Sequence, residues 1–323
     1  MKTSPTPARA LAPTAALIAL LLTACTPAAD PADTRDPAGT TAPAGSAAAS
    51  ARPEEAPGQA GPGDPQSEGG QHGAADLGHI HGLHPDGEDL LTASHHGLFV
   101  GGLDGVGADG LMPDGSGPEP RGPLIDLMGF TAGADVLYAS GHPGAGTALP
   151  NPVGLLRSDD GGATWEPLSR TGQSDFHALT AASGAVIGFD GSLVRTEDGQ
   201  SWTEVEGPDA FALAGHPGGP AVLATTQTGV WRSDDAGLTW SEPAGGPVLQ
   251  YVAFAAPDTA VGIAPDGVVH VSRDAGRTWE KAGDAGEQPG ALAAEVRDGE
   301  LHVWAAVGNA VVHSDDGGAT FTS

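Results

Sequence analysis

The sequence predicts an all-β protein, a six-bladed β-propeller behind a disordered N-terminal tether. Three observations carry that expectation. A Ser-x-Asp-x-Gly-x-Thr-Trp pattern returns five times, with starts 38, 37, 39 and 42 residues apart. Short apolar runs precede each copy, and four short strands per roughly 40 residues make a propeller blade. The 51 Gly and 28 Pro in 323 residues argue for many turns and against long helices.

Charge and cysteine content narrow the function. There are 41 Asp and Glu against 13 Lys and Arg, a net charge of -28, which argues against nucleic acid and anionic lipid headgroups as partners. A single cysteine excludes an internal disulfide framework and cysteine-based zinc fingers.

The chain opens with an address. Lys2 and Arg9 precede the apolar run from Ala15 to Leu22, and small residues Thr23 and Ala24 follow. A basic start, a short apolar core and small residues describe a secretory signal over residues 1–24, too short to span a bilayer. Leu22-Thr23-Ala24-Cys25 resembles the lipobox of bacterial lipoproteins. That resemblance implies cleavage before Cys25, a lipid on its thiol, and an extracytoplasmic, membrane-anchored protein. The alternative is an ordinary signal peptide with an incidental cysteine. Residues 25–76 read as a linker: from Thr26 to Asp76 there is no Val, Ile, Leu, Met, Phe, Trp or Tyr. Such a segment has nothing to bury and is expected to be disordered, with a reach on the order of 40 Å.

From Leu77 to Ser323 the chain divides into six units of about 41 residues, beginning near His79, Asp126, Asp175, Asp209, Leu249 and Gln288. Units two to six carry the turn motif, starting at Ser158, Thr196, Ser233, Ser272 and Ser314; the Thr196 copy is one residue shorter, and the last has Phe321 for Trp. In the first unit the Gly-rich stretch Gly101 to Gly117 replaces it, and the last stops at Ser323 with a stub for its outermost strand. How the ring closes is not legible. The motif resembles the Asp-box, or BNR repeat, of sialidases, sortilin-type receptors and other propellers. The turn carboxylates, Asp160, Asp198, Asp235, Asp274 and Asp316, are expected to accept hydrogen bonds from turn amides. Glycine allows a backbone conformation barred to other residues, and the aromatic ring packs back onto the blade. The motif reports fold and not catalysis.

A site is sought where strand order brings loops together. With strands A to D running outward, the segments leading into A and the B–C turns share one face. Aligning the inner strands gives one ring of His81, Met128, His177, Phe211, Tyr251 and Gly290. Two positions earlier lies a second ring of His79, Asp126, Asp175, Asp209, Leu249 and Gln288. Two-residue spacing is expected to turn both toward the channel. The B–C turns add His95, His96, His142, Asp190 and Asp266. The sequence thus predicts that His79, His81, His95, His96, His142 and His177 converge on one mouth with Asp126, Asp175 and Tyr251. Exposed polar loops give one bland account of that gathering. A ligand pocket gives another, and one form of it is a Zn(II) or Cu(II) site drawing on His79, His81, His96 and His177.

The chain also resembles bacterial lipoproteins with such repeats that are classed as glycosyl-hydrolase-like. That resemblance implies activity on glycans, but the sialidase set is missing. The three-arginine clamp cannot be drawn from Arg157, Arg195, Arg232, Arg273 and Arg277, all within or beside the turn motifs, and only Tyr138 and Tyr251 are tyrosines. A glycosidase using a carboxylate pair such as Asp126 and Asp175 stays open. The first reading is a lipid-anchored binding propeller for a small molecule, glycan or metal; a glycan hydrolase and a scaffold for protein partners are the alternatives.

Overall fold

The computed structural model describes residues 77–322 apart from 108, 217, 243 and 244, so the predicted signal (1–24), Cys25 and the linker to residue 76 lie outside the described residues. Its strands fall into six antiparallel sheets in strict chain order, which is what a repeat of adjacent hairpins dictates. Blade 1 holds β1 (Ile80–Asp86), β2 (Asp89–Ser94), β3 (Gly97–Gly102) and β4 (Glu119–Arg121). Blade 2 holds β5 (Ile125–Ala132), β6 (Leu137–Pro143), β7 (Leu155–Ser158) and β8 (Glu166–Ser169). Blade 3 holds β9 (Ala178–Ala182), β10 (Ala185–Phe189), β11 (Leu193–Thr196) and β12 (Thr203–Val205). Blade 4 has β13 (Ala212–Gly215), β14 (Val222–Thr226) and β15 (Gly229–Ser233). Blade 5 has β16 (Tyr251–Phe254), β17 (Ala260–Ile263), β18 (Val268–Ser272) and β19 (Glu280–Asp284). Blade 6 has β20 (Pro289–Arg297), β21 (Glu300–Val307) and β22 (Ala310–Ser314). The inner strands neighbour one another in the order β1, β5, β9, β13, β16, β20 and back to β1, so the ring closes.

Blade 6 has three strands and the expected stub, the bridge His313↔Thr322. Blade 4 departs from expectation: it too has three, and its outermost position shrinks to the bridge Arg232↔Ser241.

The core is six wedges, one at each seam between blades. β9 and β10 are buried along almost their whole length because neighbouring blades cover both faces, which explains their small residues. The aromatic residue of each turn motif enters the seam with the preceding blade. Trp165 packs with Leu98 and Ile125, Trp202 with Phe176 and Leu179, and Trp240 with Ile187 and Leu193. Trp279 packs with Leu223 and Leu249, and Phe321 with Val269 and Val303. The sequence reading turned these rings onto their own blades; they are shared with the neighbour.

The carboxylates organise the turns as expected. Asp274 Oδ1 accepts from Ser272 Oγ (2.8 Å) and Thr278 N (2.8 Å), and its Oδ2 accepts from Thr278 Oγ1 (2.6 Å). Asp160, Asp235 and Asp316 repeat the pattern, and Asp198 accepts from Thr196 Oγ1, Gln200 N and Ser201 N in the shorter copy. These bonds, first those from the threonine side chain and amide, hold the Asp274 and Asp316 carboxyls down to about 2. The turn glycine serves twice: Gly237 has φ +83°, and a Cβ there would stand 2.9 Å from Ile187 Cγ1 of blade 3. Arginine adds a second tie, since Arg195 Nε donates to Ala236 O (2.8 Å) and Arg232 Nη1 to Ala275 O, each in the next blade's turn.

Blade 1 lacks this turn, and its Gly-rich replacement closes the ring. Val106 and Val311 exchange backbone hydrogen bonds of 3.0 and 2.7 Å across the seam between blades 1 and 6. Trp304, 0% exposed, donates through Nε1 to Leu103 O at 2.6 Å. Ile80, Leu90, Phe99 and Val311 complete this wedge.

Candidate functional site at the channel mouth

Three bulges shape the inner end of the blades. Register between β1 and β2 jumps from Ile80↔Ser94 to Gly82↔Ala93, leaving His81 as the extra residue. The same slip leaves Met128 on β5 and Gly290 on β20. These are the residues aligned with His177, Phe211 and Tyr251, which lead into or begin their strands. A bulge re-aims a side chain out of the regular alternation, and here it directs His81 to the channel.

On blade 1 three imidazoles crowd together. The His95 ring lies 4.7 Å from that of His81, at 14° between planes, and 5.2 Å from that of His79. A hydrogen bond from His95 N to His79 O (3.2 Å) draws the two segments together. Burial, reinforced by His95, lowers the His81 pKa to about 4 against the raising effect of Asp126, so its ring is neutral at pH 7. His96 lies in the same turn, where its N–H meets Ser94 Oγ at 3.1 Å.

On blades 2 and 3 a carboxylate joins two imidazoles. Asp175 Oδ2 is 2.9 Å from His177 Nε2 and 3.1 Å from His142 Nε2, while His142 Nδ1 meets Asn151 Oδ1 at 2.7 Å. The bond to Asp175 raises the His177 pKa despite burial. Burial pushes the Asp175 carboxyl up, but the His177 bond and the His177, His142 and His81 charges outweigh it and lower its pKa. Sequence reasoning missed Asn151, whose position after a Pro-Gly-rich loop carried no signal.

His81 and His177 line one chamber of about 80 Å³ with Tyr251. Asp126 and Asp175 stand close enough to perturb these imidazoles. Three buried atoms here have no hydrogen-bond partner: His81 Nε2, Asp126 Oδ1 and Asp175 Oδ1. Each such atom costs about 1–3 kcal/mol of desolvation; among the described residues the other two are Arg232 Nε and His270 Nδ1, away from the mouth. Below, Leu83, Phe130, Leu179, Leu213, Val252 and Leu292 form an apolar girdle; the same six side chains line a second hollow of about 220 Å³, with His84 and Glu295, toward the other end.

One expectation needs correction. The second ring does not line the channel as a set: Leu249 is 2% exposed and packed between blades 4 and 5, and Asp209 lines a groove outside the channel. Of the four imidazoles expected to serve a metal, His79, His81, His96 and His177, the first two have ring centroids 6.5 Å apart and tilted by 45°. Among the described residues no group of three or more His, Cys, Asp or Glu is positioned to hold an ion.

No family model matches the sequence, and no curated protein matches it. Solved structures are similar in fold. A GH74 xyloglucanase from Xanthomonas campestris is 19% identical over 76% of this chain and 45% of its own, with a TM-score of 0.47. A GH74 enzyme from Niastella koreensis is 14% identical over 76% of this chain and 37% of its own, with a TM-score of 0.52. YCF48 bound to D1 peptide is 16% identical over 61% of this chain and 66% of its own, with a TM-score of 0.41. The chain thus spans less than half the length of the two GH74 enzymes, and the likeness is one of fold: this chain is an all-β, six-bladed β-propeller.

Proposed function

We propose that this chain is a lipid-anchored, extracytoplasmic binding propeller of the Asp-box type, whose ligand seats at the His/Asp mouth. Residues 1–24 serve as signal, Cys25 carries the lipid, residues 25–76 tether, and residues 77–323 bind. The observation that carries the reading is the desolvated, unpartnered trio of His81 Nε2, Asp126 Oδ1 and Asp175 Oδ1 at one end of the channel. Propellers commonly bind at such funnels, and a ligand would repay the missing hydrogen bonds. Thermal shift of the full-length chain with aliphatic amines, methyl glycosides, Zn(II) and Cu(II), repeated in Asp175→Asn, tests it. Stabilisation by at least one probe, lost in the variant, is expected. Stabilisation by none, or equally in both proteins, removes the binding assignment. Zn(II) or Cu(II) uptake would require the imidazoles to rearrange, and His81→Ala would abolish it.

A second reading is glycan hydrolysis with Asp126 and Asp175 as the acid and base. One observation favours it: each keeps a buried oxygen free of partners at the same mouth. Turnover of aryl glycosides that disappears in Asp126→Asn would support hydrolysis, and turnover unchanged by that substitution would refute those roles.

A further inference from the structure

The mouth has two chemically distinct halves. Blades 1 to 3 offer carboxylates and imidazoles. Blades 4 and 5 offer Phe211, 56% exposed, with the Tyr251 ring edge-on to it at 5.5 Å. Outside the channel a groove of about 470 Å³ carries Glu204, Glu206 and Asp209. Cations are scarce at the mouth. Among the described residues, the only Arg or Lys in the segments leading into the inner strands is Arg170, already engaged by Ser174 Oγ (2.5 Å) and Asp190 Oδ2 (3.4 Å).

The unpartnered acceptors and the aromatic faces of this surface suit a positive charge. Asp126 Oδ1 and Asp175 Oδ1 lack donors, and neutral His81 accepts through Nε2 in one of its two tautomers. An ammonium group carries three donors for these three acceptors. Aromatic faces attract cations as well. A neutral sugar needs donors for its own oxygens, and among the side chains lining the chamber only His81, His177 and Tyr251 can supply them. A bare metal needs donors at about 2.0–2.2 Å, and no trio among the described residues is so arranged. An ammonium group reaches acceptors at about 2.8 Å instead. The 80 Å³ chamber has room for about two or three waters, which suits a primary ammonium group and its first carbons.

We infer that the mouth binds an aliphatic amine, with its ammonium group between Asp126, Asp175 and His81 and its methylenes on Phe211 and Tyr251. This rests on the mouth being the binding site.

Calorimetry on the full-length chain at low salt, with 1-butylamine, 1,4-diaminobutane, 1-butanol and methyl β-glucoside, tests it. The amines should bind and butanol should not. Asp126→Asn and Asp175→Asn should each weaken amine binding about tenfold or more, as loss of a charged hydrogen bond does. Phe211→Ala should weaken it about threefold, and because that ring is exposed the variant should keep the wild-type melting temperature. Glucoside binding that is lost in Asp126→Asn, without amine binding, would overturn the amine assignment and leave the mouth as the site. Amine binding indifferent to all three substitutions would overturn it by locating the amine elsewhere. Binding by no probe would overturn both.

Discussion

Ring closure through the blade 1 excursion makes Trp304→Phe the most informative perturbation of stability. The indole is fully buried and its Nε1 is the donor to Leu103 O. Phenylalanine removes that donor and leaves the carbonyl of partly buried Leu103 without it, at about 1 kcal/mol. The smaller ring also forfeits buried area and leaves a gap, adding about 1 kcal/mol. The sum is about 2 kcal/mol, or a fall in melting temperature of about 4–8 °C for a domain of this size. Trp279→Phe is the matched control: that ring lies only partly buried at the seam between blades 4 and 5 and has no part in closure. Urea unfolding followed by circular dichroism measures both. A loss under 1 kcal/mol for Trp304→Phe, or one no larger than the control's, would refute the closure argument.

The titrating groups give further outcomes. His81 has its folded pKa depressed to about 4, so the stability tied to its neutral ring is present above about pH 6.5 and drains away as pH falls toward 4; His81→Gln should flatten that stretch of the stability curve. Asp274 and Asp316 are held at about 2, so their contribution is full above about pH 4 and is lost as pH falls through 2; Asp274→Asn should shrink the acid-unfolding slope in that window. His177 is raised by Asp175, so its stabilisation is present at low pH and fades as pH rises through its folded pKa. In Asp175→Asn its NMR titration midpoint should move down, and an unmoved midpoint would break that pairing.

The period of the turn motif made the blades legible because each copy has to close the same hairpin with the same carboxylate. Asp160, Asp235, Asp274 and Asp316 do so with nearly identical bonds. The convergence of His81, His95 and His177 could be read from strand order, since loops on one face meet whatever their sequence. What escaped was direction at strand ends. Two-residue alternation holds only inside a strand, and β16 begins at Tyr251, so counting back from it turned Leu249 to the channel when it belongs to a seam. The closing contact escaped for a different reason. Gly105 approaches the Val311 carbonyl so closely that a Cβ would clash, and nothing in a Gly-rich run says which glycine is needed for such an approach. The tie from Arg232 to Ala275 is equally silent, because 43 residues separate its ends.

The belt of Leu83, Phe130, Leu179, Leu213, Val252 and Leu292 faces both recesses of the axle at once. Trimming or enlarging any one of these six side chains therefore reshapes two compartments together. A change at His177 touches the upper one alone, and a change at His84 or Glu295 the lower one alone.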